Sequence, residues 1–222
     1  MKYEALMGKT LKRYKRFFAD VLLPSGEEVV THCVNTGPMT GCWREGEECV
    51  ISKASNPDRK LKYTLEMTKI DGSWIGVNTH RPNKIITEAL LDGKLLYKDF
   101  KAEFSLEDSR FDFYFPKEKL VLEIKSVSLK NGSTALFPDT VSTRAQKHVI
   151  DLMKLKKKGY RVGVLFLIQR NDCTEFKPSE THDPVYADLL KKAKDEGLEI
   201  YAYDCILEPG LIELGRSIPV SI

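Results

Sequence analysis

No stretch of this 222-residue chain approaches the roughly 20 apolar residues that a membrane-spanning helix needs, so no membrane partner is expected. Its cysteines (33, 42, 49, 173 and 205) are odd in number and form no CxxC pair. That argues against a disulfide framework and against a zinc finger. His32 and Cys33 with Cys42 and Cys49 fit no common zinc spacing, and buried small side chains are the expected role. No signal peptide is expected, because Lys9, Lys12, Arg13, Lys15 and Arg16 interrupt any apolar run near the start; a cytoplasmic location is expected. A large excess of either charge is missing too. With a formal net charge of +3, a polyanion would have to be met by local clusters rather than by an overall field.

What is present is a soluble, core-forming composition, 42% hydrophobic and 30% charged, in a chain long enough for one large domain or two small ones. Arg16 to Leu23 reads as a strand ending at Pro24-Ser25-Gly26, with Glu27 to Val34 as its hairpin partner. Glu48 to Lys53 is another strand. Lys60 to Lys69 alternates, with Leu61, Tyr63, Leu65 and Met67 on one face and Lys60, Lys62, Thr64 and Glu66 on the other. Ser73 to Asn78 follows a turn. Five or so short strands predict an OB-like barrel over residues 1–80.

Beyond Arg81-Pro82 the period changes. Ile85, Ile86, Ala89 and Leu90 recur at helical spacing, with Pro82 in the first turn and Gly93 as the stop. Strands follow at Lys98 to Glu103 and in a hairpin from Arg110 to Lys125, and Ser128 to Pro138 reads as a polar connection. A helix from Ser142 to Lys158, an apolar buried strand from Tyr160 to Ile168, a helix from Pro184 to Glu196 and a strand from Glu199 to Cys205 complete the pattern. Residues 81–222 are therefore expected to form an α/β domain, a central mixed sheet flanked by helices.

The hairpin carries chemistry. If it is symmetric about Pro116 to Lys119, Phe115 faces Leu120, Tyr114 faces Val121, and Asp112 lies opposite Glu123. Glu123 and Lys125 then share Asp112's face, while Phe111, Phe113, Phe115, Leu122 and Ile124 take the other. Opposed like charges cost about 0.2–1 kcal/mol. Lys125 relieves part of that, and Mg²⁺ or Mn²⁺, which favour a few hard oxygen ligands, would relieve it better. The set suits metal-assisted phosphodiester hydrolysis, with Lys125 orienting the attacking water. The plain alternative is a solvated strand face with an ordinary Glu–Lys pair. Glu88 on the preceding helix either reaches the cleft or sits at its rim. Gln146 either contacts phosphate or closes a capping box with Thr143.

Basic residues cluster locally. From Arg144 to Arg161 there are seven Lys or Arg, Lys147 among them, against one acid, Asp151. The run is either a solvated helix face or a strip for a phosphate backbone. Lys12, Arg13, Lys15 and Arg16 near Tyr14, Phe17 and Phe18, and Arg59, Lys60 and Lys62 near Tyr63, interleave cations with aromatics as single-strand binders do. Core packing is the alternative for those rings.

Taken together, Asn35-Thr36-Gly37-Pro38-Met39-Thr40-Gly41, Asn56-Pro57-Asp58-Arg59-Lys60-Leu61-Lys62-Tyr63-Thr64, Gly76-Val77-Asn78-Thr79, Glu123-Ile124-Lys125-Ser126-Val127, Phe137-Pro138-Asp139 and Arg144-Ala145-Gln146-Lys147-His148 resemble the sugar fermentation stimulation protein A family over nearly the whole chain. The resemblance implies a DNA-binding protein with an N-terminal OB-like domain and a C-terminal domain similar to PD-(D/E)XK nucleases. It places Asp112 and Glu123 at the motif's two acidic positions, Lys125 at its lysine, Glu88 at an additional helix acid and Gln146 at the following helix's glutamine. Phe111 stands where the motif has proline. Asp112, Glu123 and the Ile124 carbonyl would then hold the metal. The implied activity is metal-dependent cleavage of DNA, with RNA and a homodimer left open. The alternative is a non-catalytic DNA-binding regulator of sugar (maltose) metabolism genes on a nuclease-like fold.

Overall fold

The computed structural model describes residues 1–56, 58–106 and 109–222, so Pro57 of the second motif lies outside the described residues. Five strands, β1 (Leu6–Tyr14), β2 (Phe18–Leu22), β3 (Glu28–His32), β4 (Glu48–Lys53) and β5 (Tyr63–Ile70), close into a barrel. The circuit runs β1–β2–β3–β5–β4–β1, and it closes through a parallel pairing of Thr31 and His32 with Tyr63 and Thr64. A sixth strand, β6 (Ser73–Gly76), hangs antiparallel on β5. Ala19, Val21, Cys33, Met39, Cys42, Cys49, Ile51, Leu65 and Ile75 fill the interior. The five cysteines are free and buried, which is the role expected of them.

β1 escaped the sequence reading for a physical reason. Its buried positions include Gly8 and Thr10, neither of which gives an apolar signal. A Cβ at Gly8 would strike the Val21 side chain and crowd the Leu22 carbonyl, and Thr10 Oγ1 donates to the Arg44 carbonyl at 2.6 Å. β5 also departs from expectation. Thr64 and Glu66 are buried along with Leu65 and Met67, because the outer face of the strand is covered by the second half of the chain. Glu66 accepts from Ser52 Oγ at 2.6 Å, Asn78 Nδ2 at 2.9 Å and the Arg81 guanidinium at 2.5 and 2.9 Å. Burying a carboxylate would be costly without such partners.

The second half contains α1 (Pro82–Leu91), β7 (Lys101–Leu106), β8 (Ser109–Phe115), β9 (Leu120–Val127), β10 (Leu129–Asn131), β11 (Thr134–Phe137), α2 (Thr143–Lys157), β12 (Arg161–Ile168), β13 (Glu175–Pro178), α3 (Pro184–Asp195), β14 (Glu199–Glu208) and β15 (Leu211–Ser217). The main sheet has the order β15-β14-β12-β9-β8-β7, with β9, β12 and β14 parallel and the outer strands antiparallel. α2 and α3 cover one face over Val121, Leu152, Val164, Phe166 and Leu190. α1 and the barrel cover the other over Ile85, Ile86, Phe113, Phe115, Leu122 and Leu165.

Three expectations are corrected. The strand placed at Lys98 to Glu103 begins at Lys101. Ser128 to Pro138 is not a simple connection: β10 and β11 form a hairpin about Gly132-Ser133, and β13 adds to it in parallel. Glycine at the first position of a two-residue turn is a hairpin signal, and here the flanking strands are too short to show alternation. β15 is an added strand at the sheet edge. The segment before the barrel pairs with this last hairpin, through Met1 N–H to the Ile212 carbonyl at 2.7 Å and Tyr3 N–H to the Gly210 carbonyl at 2.9 Å.

Candidate active site

The β8–β9 hairpin has the expected register, Phe115 opposite Leu120 and Tyr114 opposite Val121, but the pairing stops at Phe113 and Leu122. Asp112 sits where the ladder gives out. Its other neighbour, Glu103 on β7, is likewise unpaired with it and has φ +53°. Alternation breaks here too, so Phe111 packs under α2 rather than with Phe113 and Phe115 on the α1 face. This corrects the single apolar face expected of the hairpin.

In place of a backbone partner, Ile124 N–H donates to Asp112 Oδ2 at 2.7 Å, and Asn83 Nδ2 of α1 donates to Oδ1 at 2.6 Å. Within a strand, the N–H and C=O of one residue point to the same side. The Ile124 carbonyl therefore also faces β8 just beyond its last paired residue. Burial first, and then the Glu123 charge, push the Asp112 carboxyl up; the Ile124 amide, Asn83 and Lys125 oppose them.

Glu123 and Lys125 point together toward α2. Lys125 Nζ donates to Glu123 Oε1 at 2.8 Å, and His148 Nδ1 of α2 meets the same oxygen. Lys125 Nζ also lies 3.4 Å from His148 Nδ1. Burial works to raise the Glu123 carboxyl, yet His148 and Lys125 together take it below the usual range. The two carboxylates are thus pushed in opposite directions, a mark of acid–base sites. Glu123 Oε2 is buried with no hydrogen-bond partner. An unmet buried carboxylate oxygen is expensive, and a hard cation is the kind of group that would meet it. Asp112, Glu123 and the Ile124 carbonyl together supply such oxygens. Among the described residues, no cluster of three or more His, Cys, Asp or Glu could hold a metal, so this donor set rests on two carboxylates and a main-chain oxygen.

Glu88 and Gln146 take other places. Glu88 bonds the Met1 ammonium at 2.7 Å, and Asn83, not Glu88, is the α1 side chain that reaches Asp112. Gln146 Nε2 donates to both Asp183 oxygens at 2.9 and 3.1 Å. Asp183 also takes the Ser142 and Tyr186 amides, at 2.9 and 3.0 Å. The capping box on Thr143 is therefore replaced: Ser142 is the N-cap, its Oγ accepting the Ala145 amide at 3.2 Å.

The basic run along α2 is partly neutralised across space. Lys147 and Lys154 both bind Asp151, at 2.5 and 2.8 Å, and Arg161 binds Glu199 at 2.8 Å. Arg144 is exposed. On the barrel, Arg13 Nη2 donates to the carbonyls of Arg16, Asn35 and Gly37 at 3.0, 2.9 and 2.7 Å, and Arg16 Nε donates to Thr36 at 3.0 Å. Those two guanidiniums hold the 35–37 loop. Arg59 donates to Thr64 Oγ1 at 3.2 Å, while Lys12, Lys15, Lys60 and Lys62 project into solvent. The sequence reading did not single out His148, Asn83 or Asp183. Only His148 lies within one of the motifs quoted above, and the partners of all three come from distant elements.

An OB barrel followed by a nuclease-like α/β domain, with an acidic pair at the broken edge of its central hairpin, defines the class of protein. Residues 11–77 match the family model described as the SfsA N-terminal OB domain, and residues 80–210 match the sugar fermentation stimulation protein RE domain. The chain is 44% identical over 195 residues to a sugar fermentation stimulation protein homolog of Gloeobacter violaceus, covering 84% of this chain and 83% of that one. It is 41% identical to a homolog of Alteromonas mediterranea over 97% of this chain and 96% of that one. The chain belongs to the sugar fermentation stimulation protein family. A solved structure of Pyrococcus furiosus SfsA in complex with Ca²⁺ superposes with a TM-score of 0.91 at 26% identity, covering 100% of this chain and 98% of that one. No helix among the described residues is long and apolar enough to cross a membrane.

Proposed function

We propose that this chain hydrolyses phosphodiester bonds in nucleic acid with the help of Mg²⁺ or Mn²⁺. The observation that carries the reading is Glu123 Oε2, buried without a partner beside Asp112, whose charge it feels, and the Ile124 carbonyl that faces β8. These oxygens would hold the cation, and the Ca²⁺ in the Pyrococcus furiosus relative supports a hard divalent ion in this family. When bound, such an ion neutralises charge on the phosphoryl group and makes a coordinated water more acidic. Lys125, only 11% exposed, keeps a positive charge beside the reacting phosphate and holds the attacking water. Asn83 and the Ile124 amide fix the Asp112 carboxylate. The solvent-directed Lys12, Lys15, Lys60, Lys62 and Arg144 hold the strand, DNA in the first instance.

A specific observation favours a second reading, a DNA-binding regulator without catalysis. Lys125 and His148 both engage Glu123 Oε1 and offset its charge from within the chain. Cleavage assays on single- and double-stranded DNA and RNA decide between them. The first reading expects cutting that requires Mg²⁺ or Mn²⁺ and vanishes in Asp112→Ala and Lys125→Ala. Binding without cutting on every substrate, with either metal, would establish the second.

A further inference from the structure

A small cavity of about 80 Å³ opens where the barrel's 35–41 loop meets the carboxyl end of β9, lined by Asn35, Thr79, Ser126, Ser128, Phe137 and Asp139 among others. Four of the family motifs converge there, and the cleavage chemistry uses only the one that carries Glu123 and Lys125. Ligands of open α/β sheets bind beyond the carboxyl ends of the strands, and this cavity lies there. Ser126 directly follows Lys125. At about 3.3 Å per strand residue, the pocket starts one residue along β9 from Lys125, with Ser126 turned to the barrel side.

Its polar groups are set for a ligand. Asn35, 7% exposed, accepts the Gly37 amide on Oδ1 at 2.9 Å, which leaves its Nδ2 protons to donate elsewhere. Ser126 Oγ accepts from Gln169 Nε2 at 2.7 Å, so its own proton is available to the cavity. Asp139 brings a carboxylate. A Cβ at Gly37 would stand 2.7 Å from Asp139 Oδ2 and 3.0 Å from Asn35 Oδ1, so only glycine lets the loop backbone pack directly against both side chains and hold them in place. Burial pushes the Asp139 carboxyl up, opposed by its own backbone N–H and by the charge of His182. A desolvated carboxylate of this kind gains most from a paired donor.

We propose that this pocket reads one base of a bound strand and takes guanine. Guanine's Watson–Crick edge offers two adjacent N–H donors to Asp139 and a carbonyl acceptor to the Asn35 amide. Single-stranded bases are recognised on that edge. The pocket is too small for a whole nucleotide and admits the edge of one ring. The assignment rests on the nucleic-acid reading above but not on cleavage.

The test is binding of the full chain, in EDTA, to four fluorescent pentathymidine-based oligonucleotides whose central base is A, C, G or T. The G oligonucleotide is expected to bind about tenfold more tightly than the others, in the range of a good bidentate base contact. Asp139→Asn should abolish that preference while leaving affinity for the T oligonucleotide unchanged. Gly37→Ala should weaken the G complex by pushing Asp139 and Asn35 out of place, and circular dichroism of both variants checks that they fold. Equal affinities for all four, a G preference that survives Asp139→Asn, or no binding of any oligonucleotide would each overturn the proposal. If the preference holds and no cleavage is ever seen with Mg²⁺ or Mn²⁺, the pocket stands and the catalytic reading falls. If cutting is metal-dependent but no base is preferred, catalysis stands and the pocket falls.

Discussion

Asp112 Oδ2 accepts the Ile124 amide proton at 2.7 Å, so a carboxylate stands in for the backbone partner that β8 fails to provide. The acid is therefore part of the hairpin's hydrogen bonding as well as of its chemistry. Asp112→Asn keeps an acceptor for that amide and should change the melting temperature little. On the proposed reading, cleavage in Mg²⁺ should fall at least about 100-fold, because a carboxylate that would hold the metal is lost. Thermal denaturation and an oligonucleotide cleavage assay on the same preparation read both. A large drop in melting temperature would show that the charge at Asp112 is structural.

Arg13 and Lys12 are neighbours with different roles. Arg13→Ala removes the donor to the carbonyls of Arg16, Asn35 and Gly37 and should cost about 2 kcal/mol, as buried hydrogen-bond losses do. Urea denaturation measures it. Alanine at Lys12, Lys15, Lys60 or Lys62 should leave stability alone. Each should flatten the dependence of single-strand affinity on salt by about 0.7 in log–log slope if its ammonium meets a phosphate.

Gln146→Ala should act through α2 and α3. Its amide bridges to Asp183, which also receives the Ser142 and Tyr186 amides. A loss of about 1 kcal/mol in stability is expected, with nucleic-acid affinity unchanged. Weaker binding at unaltered stability would restore the phosphate-contact role.

Asp172 governs part of the acid limb. Burial works to raise its carboxyl, but Arg170, 1% exposed, and Lys130 hold it far below the ordinary value of 3.8. A carboxyl lowered on folding adds stability that is fully present above the ordinary value and is lost as pH falls toward the folded one. Asp172→Asn should therefore cost about 3 kcal/mol at neutral pH, the penalty for stranding a buried guanidinium. The gap to the unaltered chain should close as pH drops below 3.8. Melting temperatures at neutral and at progressively lower pH follow it, and a gap constant with pH would contradict the assignment.

Local signals made much of this architecture legible. The aromatic and branched residues on either side of Pro116 to Lys119 defined the hairpin register, and Pro82, Gly93 and Gly159 marked helix ends. The two-residue period put Glu123 and Lys125 on one face of β9, as the structure has them, but it misplaced Asp112, which lies past the last paired rung and turns to Asn83 and the Ile124 amide. What lay beyond reach came from distant segments. Asn83 and His148 join the site only once α1 and α2 dock on opposite faces of β9. Glu66 read as a solvent-facing strand residue until Arg81 and Asn78 closed over it. Arg13 and Arg16 looked free for phosphate because no local pattern reveals that a loop some twenty residues later supplies their acceptors.

Tyr3 N–H on Gly210, Gly76 N–H on Gln169 and the Arg81 guanidinium on Glu66 fasten the barrel to the sheet before its first strand, at the end of its sixth and across its flank. A unit moored at both its entry and its exit has no single hinge about which to swing. The spacing of the two halves is consequently fixed, and a strand bound as proposed above would have to slide in edgewise rather than be seized by closing jaws.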